Sequence, residues 1–351
     1  MFVPHLGCPH DCVFCNQKKI TGQSEVFDSQ KILSYIDSYL ETMKGRRYPI
    51  EIAFYGGSFT GIDTEDQIEY LKIARRYLND GHIHGIRLST RPDYINDEIL
   101  KRLKLYKVNT IELGVQSLSE NVLTASNRGH SINDVENAVA LIREYGFNLG
   151  LQMMIGLPED TLETAISTAQ KIVALRPAFV RIYPTVVIKD TELEIMYNRG
   201  LYKAMDINTA IEWLVEIMPI FSKANIPVIR VGLQPTDDLS NGESRVAGAY
   251  HPSIRQLVKS EAYARAVIKE LSEAEYRVRM NSKVVLSASD HDWTAFKGIK
   301  GKNFARIEES IDDLKIEFEI DKSLDRNTVG VAIIFAEQEN KSDIYKKLKI
   351  D

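Results

Sequence analysis

Short apolar runs recur along the first two-thirds of this chain, and a stretch of helical periodicity follows most of them. The runs lie at 2–6, 50–55, 85–90, 110–115, 149–155, 178–183 and 228–231. They are rich in Ile, Val, Phe and Tyr and several border Gly or Pro, the pattern of short buried strands. The intervening stretches at 29–43, 65–78, 133–145, 159–175 and 208–224 carry apolar residues three and four apart. In the first of them Ile32, Ile36 and Leu40 share one face, and Asp28 stands at the N-cap position. Strand followed by helix, repeated, means a parallel sheet, because parallel neighbours need a crossover that a helix supplies. Six or so such units close fully or partly into a barrel. Barrels bind their ligands at the C-terminal ends of the strands, so chemically unusual residues are expected directly after each apolar run.

From about Thr236 the pattern changes. Residues 237–242 read as a loop, 260–274 as a helix, 283–287 as a short strand, and 315–320 and 328–335 as two more strands. The charged end of the chain reads as a helix. The expected fold class is therefore α/β, a partial (β/α) TIM-like barrel over 1–235, with a small α+β C-terminal domain over 236–351.

The three cysteines of the 351 residues all fall within the first fifteen, at Cys8, Cys12 and Cys15. An odd, clustered set is a poor disulfide framework and suits a metal site in a reducing compartment. Three thiolates on one compact loop fit an iron–sulfur cluster that leaves one iron open. They also fit a structural zinc with His5 or His10 as fourth ligand. No apolar run approaches the ~18 residues of a membrane span, and the first residues lack the basic-then-apolar pattern of a secretory signal. A cytoplasmic location is expected. The formal net charge of −5 excludes a wholly basic, nucleic-acid-coating surface but not a local basic patch.

Other unusual residues do follow the strands. Gly56 and Gly57 follow the second, where they let the backbone approach a ligand or simply make a strand-to-helix turn. Ser89, Arg91 and Asp93 end the third, and the latter two are equally readable as helix caps. Glu112 and Gln116 end the fourth and, as polar residues in a buried strand, need partners, so they are expected at the barrel mouth. Arg128 and His130 come soon after. Gln152, Met153 and Met154 end the fifth strand, and Tyr183 the sixth, as lining or as core. A basic stretch at 297–303 reads as a flexible loop that meets phosphates or as a solvated turn, with Trp293 and Phe296 stacking on bases or anchoring it in the core. His251 and His291 are candidate acid–base groups.

Cys-x-x-x-Cys-x-x-Cys after a first strand, with Phe14 between the last two thiols, resembles the signature loop of the radical S-adenosylmethionine (SAM) superfamily. Gly56-Gly57 resembles its Gly-Gly-Glu motif, with Ser58 in place of Glu. Ser89-Thr90-Arg91-Pro92-Asp93, Arg128-Gly129-His130, the 153–158 run ending Gly-Leu-Pro, and Tyr183-Pro184-Thr185 are similar to stretches of the Elongator catalytic subunit. The resemblance covers residues 1–235 and implies the radical SAM type of barrel. It implies a [4Fe–4S] cluster on Cys8, Cys12 and Cys15, with SAM as cofactor. Reductive cleavage of SAM gives a 5′-deoxyadenosyl radical. Cofactor contacts are implied at Phe14, Gly56, Gly57, Ser89, Gln116, Arg128 and Gln152.

The same resemblance implies modification of tRNA or other RNA and a reductant such as flavodoxin or ferredoxin. Residues 236–351 show no Gly-rich acyl-CoA loop, so acetyl-CoA use by this chain alone is not expected. Two alternatives remain at this level. One is a small-molecule substrate such as a tetrapyrrole, as in coproporphyrinogen oxidases. The other is a non-catalytic iron–sulfur or RNA-binding protein.

Overall fold

The computed structural model describes residues 2–3, 12–16, 29–45, 47–274, 283–311, 315–334 and 344–350. Cys8, His5, His10 and Asp28 lie outside them. Close contacts group the chain into two units, residues 1–210 with 224–252, and residues 211–223 with 253–351.

The first unit holds a seven-stranded sheet. Its strands are β1 (Phe2–Val3), β2 (Glu51–Gly56), β3 (Gly85–Thr90), β4 (Thr110–Gln116), β5 (Asn148–Ile155), β6 (Phe179–Pro184) and β8 (Val228–Val231), in that spatial order. Every neighbouring pair is parallel. The crossover helices start where the sequence offers caps. Asn96 accepts from the Ile99 N–H at the start of Asp97–Leu105, and Ser131 and Thr161 form capping boxes ahead of Ile132–Glu144 and Leu162–Ala174. Asp97 and Glu98 in the first turn and Arg102 and Lys104 in the last complement one helix dipole.

The two faces of this sheet differ in chemistry. On one, Ile52, Phe54, Ile86, Leu88, Ile111, Leu113, Leu149, Leu151, Val180 and Ile182 are all buried. On the other, alternating with them, stand Glu51, Tyr55, Arg87, Ser89, Glu112, Gln152, Arg181 and Tyr183. A parallel sheet covered on both faces is apolar on both. A polar face instead lines the inside of a curled sheet, and the fold is the expected partial barrel.

A shorter antiparallel ribbon, β7 (Val186–Ile188) with β9 (Arg245–Gly248), was not foreseen. Its strands are too short to show periodicity. It joins residues 245–248 to the first unit. The expected loop at 237–242 contains a four-residue helix, Asp237–Ser240, whose N-cap Thr236 accepts from the Leu239 N–H. No helix among the described residues is long and apolar enough to cross a membrane.

In the second unit, β10 (Lys283–Ala288), β11 (Lys315–Ile320), β12 (Thr328–Ile334) and β13 (Ile344–Lys349) form a sheet in the order β11-β10-β12-β13, with only β10 and β11 parallel. The charged segment expected as a helix is thus strand β13. Leu348 packs against the core while Tyr345, Lys347 and Lys349 are exposed. Lysines suit such an edge strand, where they deter pairing with another chain.

Phe296 is fully buried with Tyr263, Leu286 and Val331, and Trp293 packs edge-on to Phe296 and Phe304. These aromatics anchor the core. The basic run at 297–303 is held by the Asn303 side-chain amide, which donates to the carbonyls of Ala295, Phe296 and Ser260. It covers the end of the helix Trp293–Lys297, a short 3-10 turn at Ile299–Gly301 and the start of the helix Lys302–Glu309.

Candidate active site at the mouth of the barrel

The described part of the cysteine loop, 12–16, is tied down on both sides. The Val13 N–H donates to the Ser126 carbonyl at 3.1 Å, and the Leu193 N–H donates to the Val13 carbonyl at 2.7 Å. The Cys15 N–H donates to the Cys12 carbonyl at 2.9 Å, so both thiols sit on one turn. The Asn16 amide donates to the Lys189 carbonyl at 3.1 Å. Phe14, half-buried, packs with Val13, Val187, Leu193 and Tyr202.

Cys12 is buried and faces two guanidinium groups. Arg128 Nη1 is 3.4 Å and Arg91 Nη1 3.9 Å from its Sγ. Arg128 also donates through Nη2 to the Gly114 carbonyl at 2.7 Å. A Cβ added at Gly114 would stand 3.0 Å from that nitrogen, so a larger residue there would push on the Arg128 side chain. Arg91 chelates Asp93 and donates to the Arg128 carbonyl at 2.7 Å. The cap reading of Arg91 and Asp93 gives way to this pair; the next helix is capped by Asn96. His130 is buried beside them with Nε2 3.2 Å from the Val115 carbonyl. Burial first, then the Arg128 and Arg91 charges, lowers its pKa to about 3, so it is neutral at ordinary pH.

Gly56 ends β2 with φ of +118°, a conformation that favours glycine, and Gly57 and Ser58 are buried just after it. Ser89 is half-buried on β3 in register with Glu112. Gln116 follows a bulge in β4 and has a φ of +66°, an uncommon value for a residue with a Cβ. The bulge turns its side chain to meet Gln152, whose Nε2 lies 3.4 Å from Gln116 Oε1. Met153 is fully buried, and Met154 and Tyr183 are half-buried. His251 is half-buried and His291 exposed, 3.9 Å from Asp290.

Deeper in the barrel the structure assembles a network that sequence reasoning did not join. The Glu112 carboxylate is 2.7 Å from Arg181 Nε and 3.2 Å from Arg87 Nη1, and it accepts from the Tyr55 hydroxyl at 2.5 Å. Arg87 also pairs with Glu51. Burial opposes the Arg181 charge, but the Glu112 carboxylate outweighs it and holds the guanidinium's pKa above its usual value. Burial, then Glu112, pushes the Tyr55 phenol up. The signal available in sequence was parity: Tyr55, Arg87, Glu112 and Arg181 each sit at inward-facing positions.

Among the described residues no three or more His, Cys, Asp or Glu gather into a metal-binding group, and Cys8 lies outside them. Cys12 and Cys15 nevertheless fit an anionic iron–sulfur centre. Their sulfur donors share a turn, and two cations stand where negative charge would sit. The described part of the barrel mouth thus sets two thiols beside two guanidiniums.

Family models extend this. The model for the radical SAM superfamily matches residues 2–172, and that for the radical SAM C-terminal domain matches 177–264. The chain belongs to the radical SAM superfamily of enzymes. An uncharacterized protein of Methanocaldococcus jannaschii is 31% identical over 226 residues, covering 61% of this chain and 68% of that one. The tRNA uridine(34) acetyltransferase of Dehalococcoides mccartyi is 24% identical over 291 residues, 71% of this chain and 63% of that one. The structure of archaeal Methanocaldococcus infernus Elp3 (Elongator complex protein 3) superposes with a TM-score of 0.57 at 24% identity. It covers 67% of this chain and 58% of that one. The chain thus spans between half and about two-thirds of the length of these proteins.

Proposed function

We propose that this protein cleaves SAM reductively to modify an RNA substrate, with tRNA the leading candidate. Cys8, Cys12 and Cys15 would hold a [4Fe–4S] cluster. When bound, and with a reductant such as flavodoxin or ferredoxin as electron source, the cluster would supply the one-electron reductive cleavage of SAM. The observation that carries this reading is the buried Cys12 set between Arg91 and Arg128 at the open end of a polar-lined parallel barrel.

The chain's own residues then have distinct tasks. The Gly56-Gly57 backbone offers polar groups where no side chain obstructs approach. Arg128, with Nη1 facing Cys12 and Nη2 on the Gly114 carbonyl, would bring positive charge to the side on which a SAM carboxylate sits. Gln116 and Gln152, already in contact, would present amide donors and acceptors to the adenosine hydroxyls, and Ser89 a hydroxyl from near the end of β3. Phe14 packs the loop and helps exclude water.

The RNA assignment is supported by the tRNA-modifying relative and by the sequence resemblance. It is tested by titrating bulk tRNA into the anaerobically prepared chain at several salt concentrations, while following SAM turnover. Binding that weakens steeply with salt, with tRNA-stimulated turnover, supports the reading. Salt-independent binding without stimulation removes RNA as the substrate.

A further inference from the structure

We propose that Arg91 is a positioning residue for the cluster, holding the Cys12 side and raising the cluster's reduction potential. This rests on the radical SAM reading of the site.

Arg91 is 1% exposed and heads the fully buried side chains by size. A buried charge is tolerated only when well paired, and this one uses its fork completely. Nε is 2.9 Å and Nη2 3.0 Å from the Asp93 carboxylate, while Nη2 also donates to the Arg128 carbonyl at 2.7 Å. The guanidinium lies 5.7 Å from the centre of the Tyr94 ring. Nη1 then points to Cys12 Sγ at 3.9 Å. The local sequence sets this up. Pro92 follows Arg91, which keeps it extended at ψ of 150°, and a short turn at Pro92–Tyr94 brings Asp93 back beneath it.

The consequence is electrostatic. Cluster potentials depend on hydrogen bonds to the sulfurs, and donors to sulfur stabilise the more negative, reduced state. Arg91 contributes one donor directly. It contributes a second indirectly, because it fixes the main chain of Arg128, whose Nη1 is 3.4 Å from the same sulfur. Lysine cannot serve these partners, since one ammonium cannot span carboxylate, carbonyl and sulfur along a plane. Asp93 offsets part of the Arg91 charge, so its removal should act in the opposite sense.

The test uses the full-length chain, reconstituted anaerobically with iron and sulfide. Iron content and the midpoint potential of the cluster are measured for wild type, Arg91→Lys, Arg91→Met and Asp93→Asn. The expected result is a lower midpoint in Arg91→Met, by about tenfold in the reduction equilibrium or about 59 mV for one electron. Arg91→Lys should fall by less, and Asp93→Asn should rise.

Wild-type midpoints in all three variants overturn the proposal, because a merely structural residue changes iron content or melting without moving the potential. Where Arg91→Met fails to hold its iron, Arg91→Lys and Asp93→Asn decide in the same way. A wild-type chain that binds no four-iron cluster sinks the functional reading itself, and that is visible before any variant is made.

Discussion

Replacing Glu112 with alanine should destabilise the barrel more than any single hydrogen bond in its interior. Its side chain is 4% exposed and answers two guanidiniums and a phenol. Arg87 keeps Glu51 when Glu112 is gone, but Arg181 loses its carboxylate while only 16% exposed. Removing one partner of a buried ion pair costs about 3–5 kcal/mol, because the other charge stays behind. Slight exposure of both arginines favours the lower end, ~3 kcal/mol, which lowers Tm by about 6–12 °C for a domain of this size. Tyr55→Phe removes the hydrogen bond donated to Glu112 and the one accepted from Arg181 Nη2 at 2.7 Å, and should cost at least the ~1.5–3 kcal/mol of one hydrogen bond to a charged group.

The penalty comes from the stranded charge, so Glu112→Ala combined with Arg181→Met should be more stable than Glu112→Ala alone. Thermal melts followed by circular dichroism measure all three variants. A Glu112→Ala chain melting within ~2 °C of wild type would refute the reasoning. So would a double variant weaker than the single.

Other consequences are narrower. Burial above all raises the Asp160 pKa from the usual 3.8 to about 6. The folded state therefore holds the proton more tightly, and stability falls as pH rises from about 4 to 6; Asp160→Asn should flatten that slope in melts taken across the range. His130 is shifted the other way, so its contribution is present above the unfolded value of about 6.5 and lost as pH falls toward 3. Its imidazole proton resonance should stay fixed between pH 8 and 5, and movement in that window would contradict its burial. Gly150→Ala would put a Cβ 2.5 Å from the Phe179 ring and 2.9 Å from Glu112 Cγ. Overpacking of this kind costs about 1–3 kcal/mol, and an unchanged denaturation midpoint would show that the ring can move aside.

Much of the barrel could be read from the chain because its signals are local. Each of the longer strands is a run of apolar residues next to turn residues, and the structural bounds of β2 to β6 differ from the sequence reading by a residue or so. The β7 and β9 ribbon could not be read this way, since three or four residues carry no period and their pairing spans more than fifty positions. The helix at 237–240 had a usable cap in Thr236, but four residues between a Pro-Thr and an Asn-Gly pair resemble a loop. The terminal strand β13 is lysine-rich and lacked an alternation strong enough to outweigh its charge.

At the site, Glu112 was recognisable as a buried polar group needing partners. Arg87 and Arg181 were not nameable as those partners, because β3 on one side and β6, two strands away on the other, bring them in from positions 25 and 69 residues away. The same holds for Arg91 and Cys12, which are separated by 79 positions. Sequence exposes the parity of a strand but not its register against the next one.

The central claim is that the chain performs reductive SAM cleavage at the cysteine loop. The most direct test is anaerobic: reconstitute the purified chain with iron and sulfide, add SAM and dithionite, and quantify 5′-deoxyadenosine by chromatography beside a Cys12→Ala control. The wild-type chain should yield 5′-deoxyadenosine, and the variant neither cluster nor product. A fully loaded wild-type cluster that yields no 5′-deoxyadenosine with or without tRNA, or a Cys12→Ala chain as active as wild type, would contradict it.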